Sequence, residues 1–497
     1  MNQTINNYIK ERMYIMKTTS LEEVQRIFKV QKAKYSPSNP PSYEERMDRL
    51  KRADKLIRDH WPEFIQTLQE DFGSRDSDQI FGADILSPLF HGKHVRDHLA
   101  QWMKPERKSS GLLGLVGQKT YILNEPLGVI GIVTPFNAPV SLAFDPAIEA
   151  LAAGNSVMIK VTESTPRTAD FMQKLVAKYF KEEEMAVVTG EADVSACFAA
   201  LPWDKMVFTG GSEIGKKILA AAAPNLTPVV LELGGKCPAV VLPDADIRAA
   251  APRISLGRTG NAGQVCLAVD YALVPETKLE ALIQQIVEVD QQAFPTMINN
   301  PKVSSIINQA GYNRIVGYIE EAKAAGCRII QVNPANEKLP DPETRKIPLT
   351  IVVNPGENLQ VSKYEIFGPV LSIYSYKHLD EAIAFINKHE KPLGLYVFGK
   401  DKNDIRKVVS STSSGGVTVN DITLHAGTNT MGFGGVGYSG MGRYKGGILG
   451  YKAFCNEKAV YEQGLMGRFT ASFLVPFATD RPRSMMRRMV GIKSQPR

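Results

Sequence analysis

Cysteine is scarce in this chain: Cys197, Cys237, Cys266, Cys327 and Cys455 are the five among 497 residues, odd in number, far apart and never in a Cys-x-x-Cys pair. That pattern argues against a disulfide framework or a thiolate zinc site and suits a reducing compartment. Long apolar runs are missing as well. No stretch reaches the roughly 18 apolar residues of a spanning helix, and the start MNQTINNYIKERMYIMKTTS has no apolar core of signal-peptide length. A cytoplasmic location is the resulting expectation. The body of the chain also lacks an excess of either charge. The net charge is +7, but residues 463–497 hold seven basic side chains and one acid, leaving +1 for the other 462 residues. Nucleic-acid binding needs a basic face on the folded domain, so no nucleic-acid partner is expected. Repeats and low-complexity linkers are absent, with only the Pro-rich SPSNPPS (36–42) and the loop NEKLPDPETRK as punctuation.

What is present is an ordinary globular composition, 43% hydrophobic and 22% charged, in a chain long enough for two or three domains. Apolar strands alternate with helical patterns. LGVIGIV (127–133) precedes the loop TPFNAP and the helical SLAFDPAIEALAAG; SVMIKV (156–161) precedes a helix through TADFMQKLVAKYF. MAVVTG, KMVFTG, SEIGKKILAAAA and VVLELGG continue the series, which predicts an α/β fold with parallel sheets covered by helices. A second such region runs from PAVVLP (238) to about 420, with helices near 276–290 and 309–325.

TGNAGQVCLAVD (259–270) raises the chemical question. A lone cysteine usually packs as a small hydrophobe. Gly260 and Gly263, however, imply a backbone that bends sharply or approaches a ligand, so the stretch reads as a loop presenting the Cys266 thiol. Three other patterns carry less. GGSEIGK (210–216) resembles a phosphate loop but continues with Lys217 where a magnesium-binding Ser or Thr is required. GFGGVGYSGMG (432–442) has glycines at dinucleotide-fingerprint spacing without the following helix, which predicts a flexible loop. His91, His94 and His98 share one helix face, but without an acidic or cysteine cluster nearby they read as a solvated face, and no metal site is expected.

The ordered set PLGVIGIVTPFNAPV, AAGNSVMIKVTESTP, MVFTGGSEIGKKI, LELGGKCPAVV, NAGQVC, EIFGPVL and GFGGVGYSGMG resembles the aldehyde dehydrogenase superfamily over residues 20–460. SRDSDQIFGADILSP, AAPNLTPVVLELGGK and GGVTVNDITLH resemble its class-three-like branch, the group that includes coniferyl aldehyde dehydrogenases. The resemblance implies a Rossmann-like cofactor domain with five strands, an α/β catalytic domain and a small antiparallel bridging element. On this chain they would be 20–232, with part of the bridging element near 115–126; 233–420; and 421–462; followed by a basic tail, 463–497. It further implies a homodimer and NAD(P)-dependent oxidation of an aromatic or hydrophobic aldehyde.

Aldehyde oxidation needs a thiolate nucleophile, donors for the developing oxyanion and a base to hydrolyse the thioester. Cys266 supplies the first. An ordinary thiol is only a few per cent ionised at neutral pH, so a nearby base or dipoles should raise its thiolate fraction. The resemblance assigns the oxyanion to Asn137 and the Cys266 amide, and the base to Glu232, whose position at the end of a buried strand should raise its pKa. It assigns Lys160 and Glu163 to the adenosine ribose, Gly210, Gly211, Ser212 and Gly215 to the pyrophosphate, and Glu365 to the nicotinamide ribose. A carboxylate near the 2′-hydroxyl favours NAD, with NADP left open. Departures from the family pattern are Val161, Phe136, Ala138 and Gly432, none of which removes a catalytic atom. The alternatives are a catalytically idle binding protein on the same fold, a phosphate-loop transferase and a long-chain fatty aldehyde dehydrogenase at a membrane surface.

The tail belongs to no motif. FTASFLVPFA is too short to span about 30 Å of hydrocarbon, but Arg481, Arg483, Arg487, Arg488 and Lys493 among Met485, Met486, Met489, Val490 and Ile492 suit weak contact with an anionic membrane surface. The alternative is a dimer-embracing arm with a solvated end.

Overall fold

The computed structural model describes residues 14, 16–465, 467, 484 and 487–492. Numbered along the chain, the first strands are β1 (Glu106–Lys108), β2 (Lys119–Pro126), β3 (Val129–Val133), β4 (Ser156–Lys160) and β5 (Met185–Val188). Next come β6 (Lys205–Thr209), β7 (Val229–Glu232), β8 (Cys237–Val241), β9 (Val269–Pro275) and β10 (Arg328–Gln331). The rest are β11 (Thr350–Val353), β12 (Val370–Tyr376), β13 (Gly394–Phe398), β14 (Gly416–Val419), β15 (Gly440–Met441) and β16 (Cys455–Glu462).

They form three sheets. One has the order β15-β7-β6-β3-β4-β5, five parallel strands with the two-residue β15 added antiparallel at one edge. A second runs β10-β11-β12-β9-β8-β13-β14, parallel except for β10. The third is the small antiparallel β1-β2-β16.

Every residue of β3, β4 and β8 is buried, as expected for strands covered on both faces, where apolar runs replace alternation. Gly131 leaves room for the Trp203 indole, which a Cβ there would meet at 2.7 Å. Helices Tyr43–Phe72, Ser87–Trp102 and Pro139–Ala152 share one core with this sheet. Helix Tyr43–Phe72 is started by a Ser42–Glu45 capping box. Helix Pro139–Ala152 is apolar nearly all round because it is buried nearly all round, and Pro139 at its first turn sacrifices no hydrogen bond. Helices Leu21–Lys34, Ala192–Ala199 and Ser212–Ala222 cover the opposite face.

Of the stretch 421–462, read from the sequence as a bridging segment, only β16 joins the small sheet. β15 pairs with β7, and helix Gly447–Ala453 packs on helices Ser87–Trp102 and Pro139–Ala152. The glycine-rich 432–442 is therefore no flexible loop. A Cβ at Gly435 would lie 2.0 Å from the Ser439 carbonyl and one at Gly440 2.3 Å from the Leu231 carbonyl, so the glycines allow backbone to pack directly on backbone. Among the described residues no helix is long and apolar enough to cross a membrane. Most of the tail's basic and methionine cluster, from Arg481 to Met486 and Lys493, lies outside the described residues apart from Ser484.

Candidate active site

A cavity of about 800 Å³ opens along the carboxyl ends of β3, β4, β6 and β7 and reaches across to Cys266 and Glu365 from the second region. Ligand sites favour that edge of a parallel sheet, where strands end and helices begin. After β3 the chain gives Thr134, Pro135, Phe136 and Asn137 to the wall. Asn137 is buried, and its carbonyl accepts the Asn261 side-chain amide at 3.3 Å, tying the end of this strand to the loop before Cys266. After β4, the buried Lys160 ammonium lies 3.0 Å from a Glu163 carboxylate oxygen whose side chain is half in solvent. After β6, Gly210 and Gly211 line the cavity, and Gly211 caps helix Ser212–Ala222, whose unpaired first amides suit an anion.

Of the other two residues predicted for the pyrophosphate, Ser212 opens that helix next to Gly211, and Gly215 is buried one turn further along it. A Cβ at Gly215 would meet the Leu233 side chain at 2.9 Å, so this glycine serves the packing of helix on strand.

Glu232 ends β7 at 3% exposure, and neither carboxylate oxygen has a hydrogen-bond partner among the described residues. Burial pushes its pKa well above the usual carboxylate range, opposed only by the positive charge of Arg443. β15 holds it in place, since Gly440 pairs with Glu232 across the ladder.

Cys266 stands in the loop between a distorted turn, Gly260–Gly263, and β9. Asn261, Ala262 and Gly263 have φ of 49°, 52° and 72°, three successive left-handed residues, two of which pay a steric cost for it. Buried Gln264 pins the turn: its amide donates to the carbonyls of Asn261 and Ser305, each at 3.0 Å, and its oxygen accepts the Ile307 N–H at 2.9 Å. The thiol does not meet the expectation of an elevated thiolate fraction. Desolvation first, then the charges of Glu365 and Glu232, push its pKa up to about 12. Glu365 is itself raised to about 8, by burial and by the charge of Asp270, although it accepts the Gly235 N–H. Its carboxylate fills the space over Gly234, where a Cβ would fall 1.8 Å from the Glu365 oxygen.

Cys266, Glu232, Asn137, Lys160, Glu163, Gly210, Gly211 and Glu365 thus share one cavity. Dinucleotide fits it: a buried lysine and a carboxylate at one end, helix amides in the middle and Glu365 near the thiol. Several other residues here carry no motif that marks them for the cavity. Lys217 shares the wall-forming face of its helix with Ile214, Ile218 and Ala221, at helical spacing. Phe367 lines the cavity 5.8 Å from the Phe136 ring, edge to face. Arg258, Asp270 and Lys236 form a buried charged cluster behind Cys266. A buried arginine in the last turn of a helix has no short motif that would have revealed it. The histidines serve packing instead: His91 is buried 3.2 Å from Glu149, His98 stacks on Trp102, and His94 meets both rings at a tilt.

Comparison with known proteins extends these observations. The model of the aldehyde dehydrogenase family matches residues 2–460. A protein of Caulobacter vibrioides named probable coniferyl aldehyde dehydrogenase is 42% identical over 435 residues, covering 87% of this chain and 90% of that protein. Among solved structures, a substrate-bound AldH of Staphylococcus aureus superposes with a TM-score of 0.84 at 32% identity, over 92% of this chain and 99% of the other. A Mycobacterium tuberculosis aldehyde dehydrogenase in complex with NAD+ superposes with a TM-score of 0.80 at 25% identity, over 90% of this chain and 92% of the other.

Proposed function

The chain belongs to the aldehyde dehydrogenase family and is an NAD(P)-dependent oxidoreductase of aldehydes, and from this premise we propose that Cys266 is its nucleophile, Asn137 its oxyanion donor and Glu232 its hydrolytic base. The observation that carries the assignment is the convergence of these three side chains on the same cavity as Lys160, Glu163, Gly210, Gly211 and Glu365.

The Cys266 thiol releases its proton to solvent water, and the thiolate sulfur adds to the aldehyde carbon. The Asn137 side-chain N–H and the Cys266 backbone N–H take up the charge that appears on the carbonyl oxygen. NAD, when bound, supplies the hydride acceptor. The acyl group is then a thioester on Cys266, and Glu232 removes a proton from the water that opens it. Desolvation suits Glu232 to this step, because a carboxylate with a raised pKa is a stronger base. Lys160 and Glu163 would hold the adenosine ribose, the Gly210–Gly211 turn the pyrophosphate and Glu365 the nicotinamide ribose.

An aromatic or hydrophobic aldehyde is the proposed substrate class. The coniferyl aldehyde name of the Caulobacter relative and the Phe136 and Phe367 rings that line the cavity support it. A homodimer is the proposed assembly, supported by the eight-residue β16 standing at the edge of its sheet. Weak membrane contact through 463–497 is proposed from composition alone. Co-sedimentation with anionic vesicles at low salt, lost on deleting 463–497, tests it.

The deciding experiment follows NADH absorbance with NAD and a panel of aromatic and long-chain aldehydes, comparing wild type with Cys266→Ala. Aromatic turnover that falls by several orders of magnitude in the variant, with NAD binding intact, is the expected result. Residual turnover above about one per cent overturns the assignment of Cys266.

A further inference from the structure

Three segments meet behind the cavity: 234–236 after β7, the turn 260–263 before Cys266, and 364–368, which carries the cavity-lining Glu365 and Phe367. What joins them is Arg258, in the last turn of helix Ile247–Thr259, with its guanidinium 1% exposed. All five of its N–H groups are used. Nη1 donates to the Val269 carbonyl and to an Asp270 carboxylate oxygen, each at 3.0 Å. Nε donates to the Gly368 carbonyl at 2.7 Å, and Nη2 to the Gly263 carbonyl at 3.3 Å and again to Gly368. Asp270 also accepts the Ile366 N–H at 3.1 Å and pairs with Lys236, whose ammonium caps the carbonyls of Val361 at 2.9 Å and Tyr364 at 3.0 Å.

The two clasped loops touch backbone to backbone: a Cβ on Gly263 would lie 2.3 Å from the Gly368 carbonyl and 2.8 Å from the Arg258 guanidinium. The turn held there contains the three left-handed residues, a conformation that persists only where its surroundings over-determine it. Stability alone is a poor reason for such a cluster, because desolvating a buried ion pair offsets most of its attraction. Geometry is a better one. A planar fork fixes the direction of several acceptors at once, which a lysine ammonium does not.

We propose that Arg258 is a positioning residue for the reaction, setting the nucleophile loop against the Glu365–Phe367 loop by holding the Gly263 and Gly368 carbonyls in one guanidinium fork. The proposal rests on the reading of Cys266 and Glu365 given above. It requires that loss of the fork, with the charge retained, misplace the sulfur relative to the cofactor end of the cavity. Misplacement on the scale of an ångström costs about 10–100-fold in the step that depends on it.

The test compares wild type with Arg258→Lys in three measurements: the single-turnover NADH burst, the Kd for NAD by fluorescence titration, and the rate of Cys266 alkylation by iodoacetamide with and without saturating NAD. In folded Arg258→Lys the burst slows at least about tenfold and the effect of NAD on alkylation shrinks towards none, while the Kd and the aldehyde KM stay near wild type. A burst near the wild-type rate, or an unchanged NAD effect on alkylation, overturns the proposal. Arg258→Gln is the second variant, and failure of both to fold assigns Arg258 to stability and overturns it as well. Turnover retained by Cys266→Ala would instead refute the reading of Cys266, so the two failures are distinct.

Discussion

The Cys237 thiol lies 3.3 Å from the carbonyl oxygen of Cys266 and donates to it, while its sulfur accepts the Gly394 N–H at 3.3 Å. One buried cysteine thereby braces the backbone of the other, and only the second opens onto the cavity. Burial pushes the Cys237 thiol far up, so it should be inert. Iodoacetamide on the native, cofactor-free enzyme should label Cys266 and leave Cys237 unlabelled, as read by peptide mass spectrometry. Because the Cys266 pKa is about 12, its alkylation rate should rise about tenfold per pH unit from pH 7 to 10. Above pH 8, where Glu365 is ionised, Glu365→Gln removes the larger of the two carboxylate charges acting on the thiol and should speed alkylation. A plateau below pH 9 in wild type would contradict the direction of this shift.

Glu232→Gln keeps the shape of the side chain and removes the base. The NADH burst should persist while steady-state turnover falls about 10²–10⁴-fold, with an acyl adduct on Cys266 visible in the intact mass. Loss of the burst itself would place Glu232 before hydride transfer.

Coenzyme choice should depend on two charges of opposite sign at the adenosine end. Glu163, proposed to hold the adenosine ribose, and Lys217 line the same cavity, Lys217 with no ion pair among the described residues, whereas neighbouring Lys216 is paired with Glu213. Glu163→Gln should tighten NADP relative to NAD, and Lys217→Ala should weaken NADP while leaving NAD nearly unchanged. Calorimetric Kd values for both coenzymes check this, and equal effects on the two would refute it.

Glu149 is fully buried beside His91, and burial raises its pKa above the unfolded carboxylate value. The native state therefore holds this proton more tightly than the unfolded chain does. Its contribution to stability is present at low pH and is lost as pH rises from the ordinary carboxylate pKa through the folded one. Glu149→Gln, which cannot ionise, should raise the unfolding midpoint more at pH 8 than at pH 4. An equal change at both values would show that ionisation is not involved.

Gly435 tests the close-packed loop beneath Glu232. Alanine there places a Cβ 2.0 Å from the Ser439 carbonyl, a clash that only a backbone shift relieves. Destabilisation of about 1–3 kcal/mol in urea is expected, with turnover lost beyond the unfolded fraction because β15 pairs with the base-carrying strand.

Much of this protein was determined by its sequence alone. Short, β-branched apolar runs such as VIGIV, SVMIK and PAVV read as strands buried on both faces, and their alternation with helical patterns leads to parallel sheets. Gly260 and Gly263 around Cys266, and the acid closing VVLE, are local signals, because turns and strand ends are set by neighbouring residues. Other features depended on the tertiary structure. The thiol pKa reflects desolvation and two carboxylates, Glu365 and Glu232, that lie 99 and 34 positions away in sequence. The glycine-rich 432–442 looked free because nothing in it reveals that Leu231 and Glu232 lie against it. Gly215 sits in a phosphate-loop-like pattern, and only the fold sets the Leu233 side chain against it. Arg258 reads as an ordinary charged residue near a helix end, and only the fold brings the carbonyls of Gly263 and Gly368 within reach of one guanidinium. Hydrophobic pattern is written residue by residue along the chain, whereas electrostatic environment and backbone-on-backbone contact arise between segments that meet only once the sheets have formed.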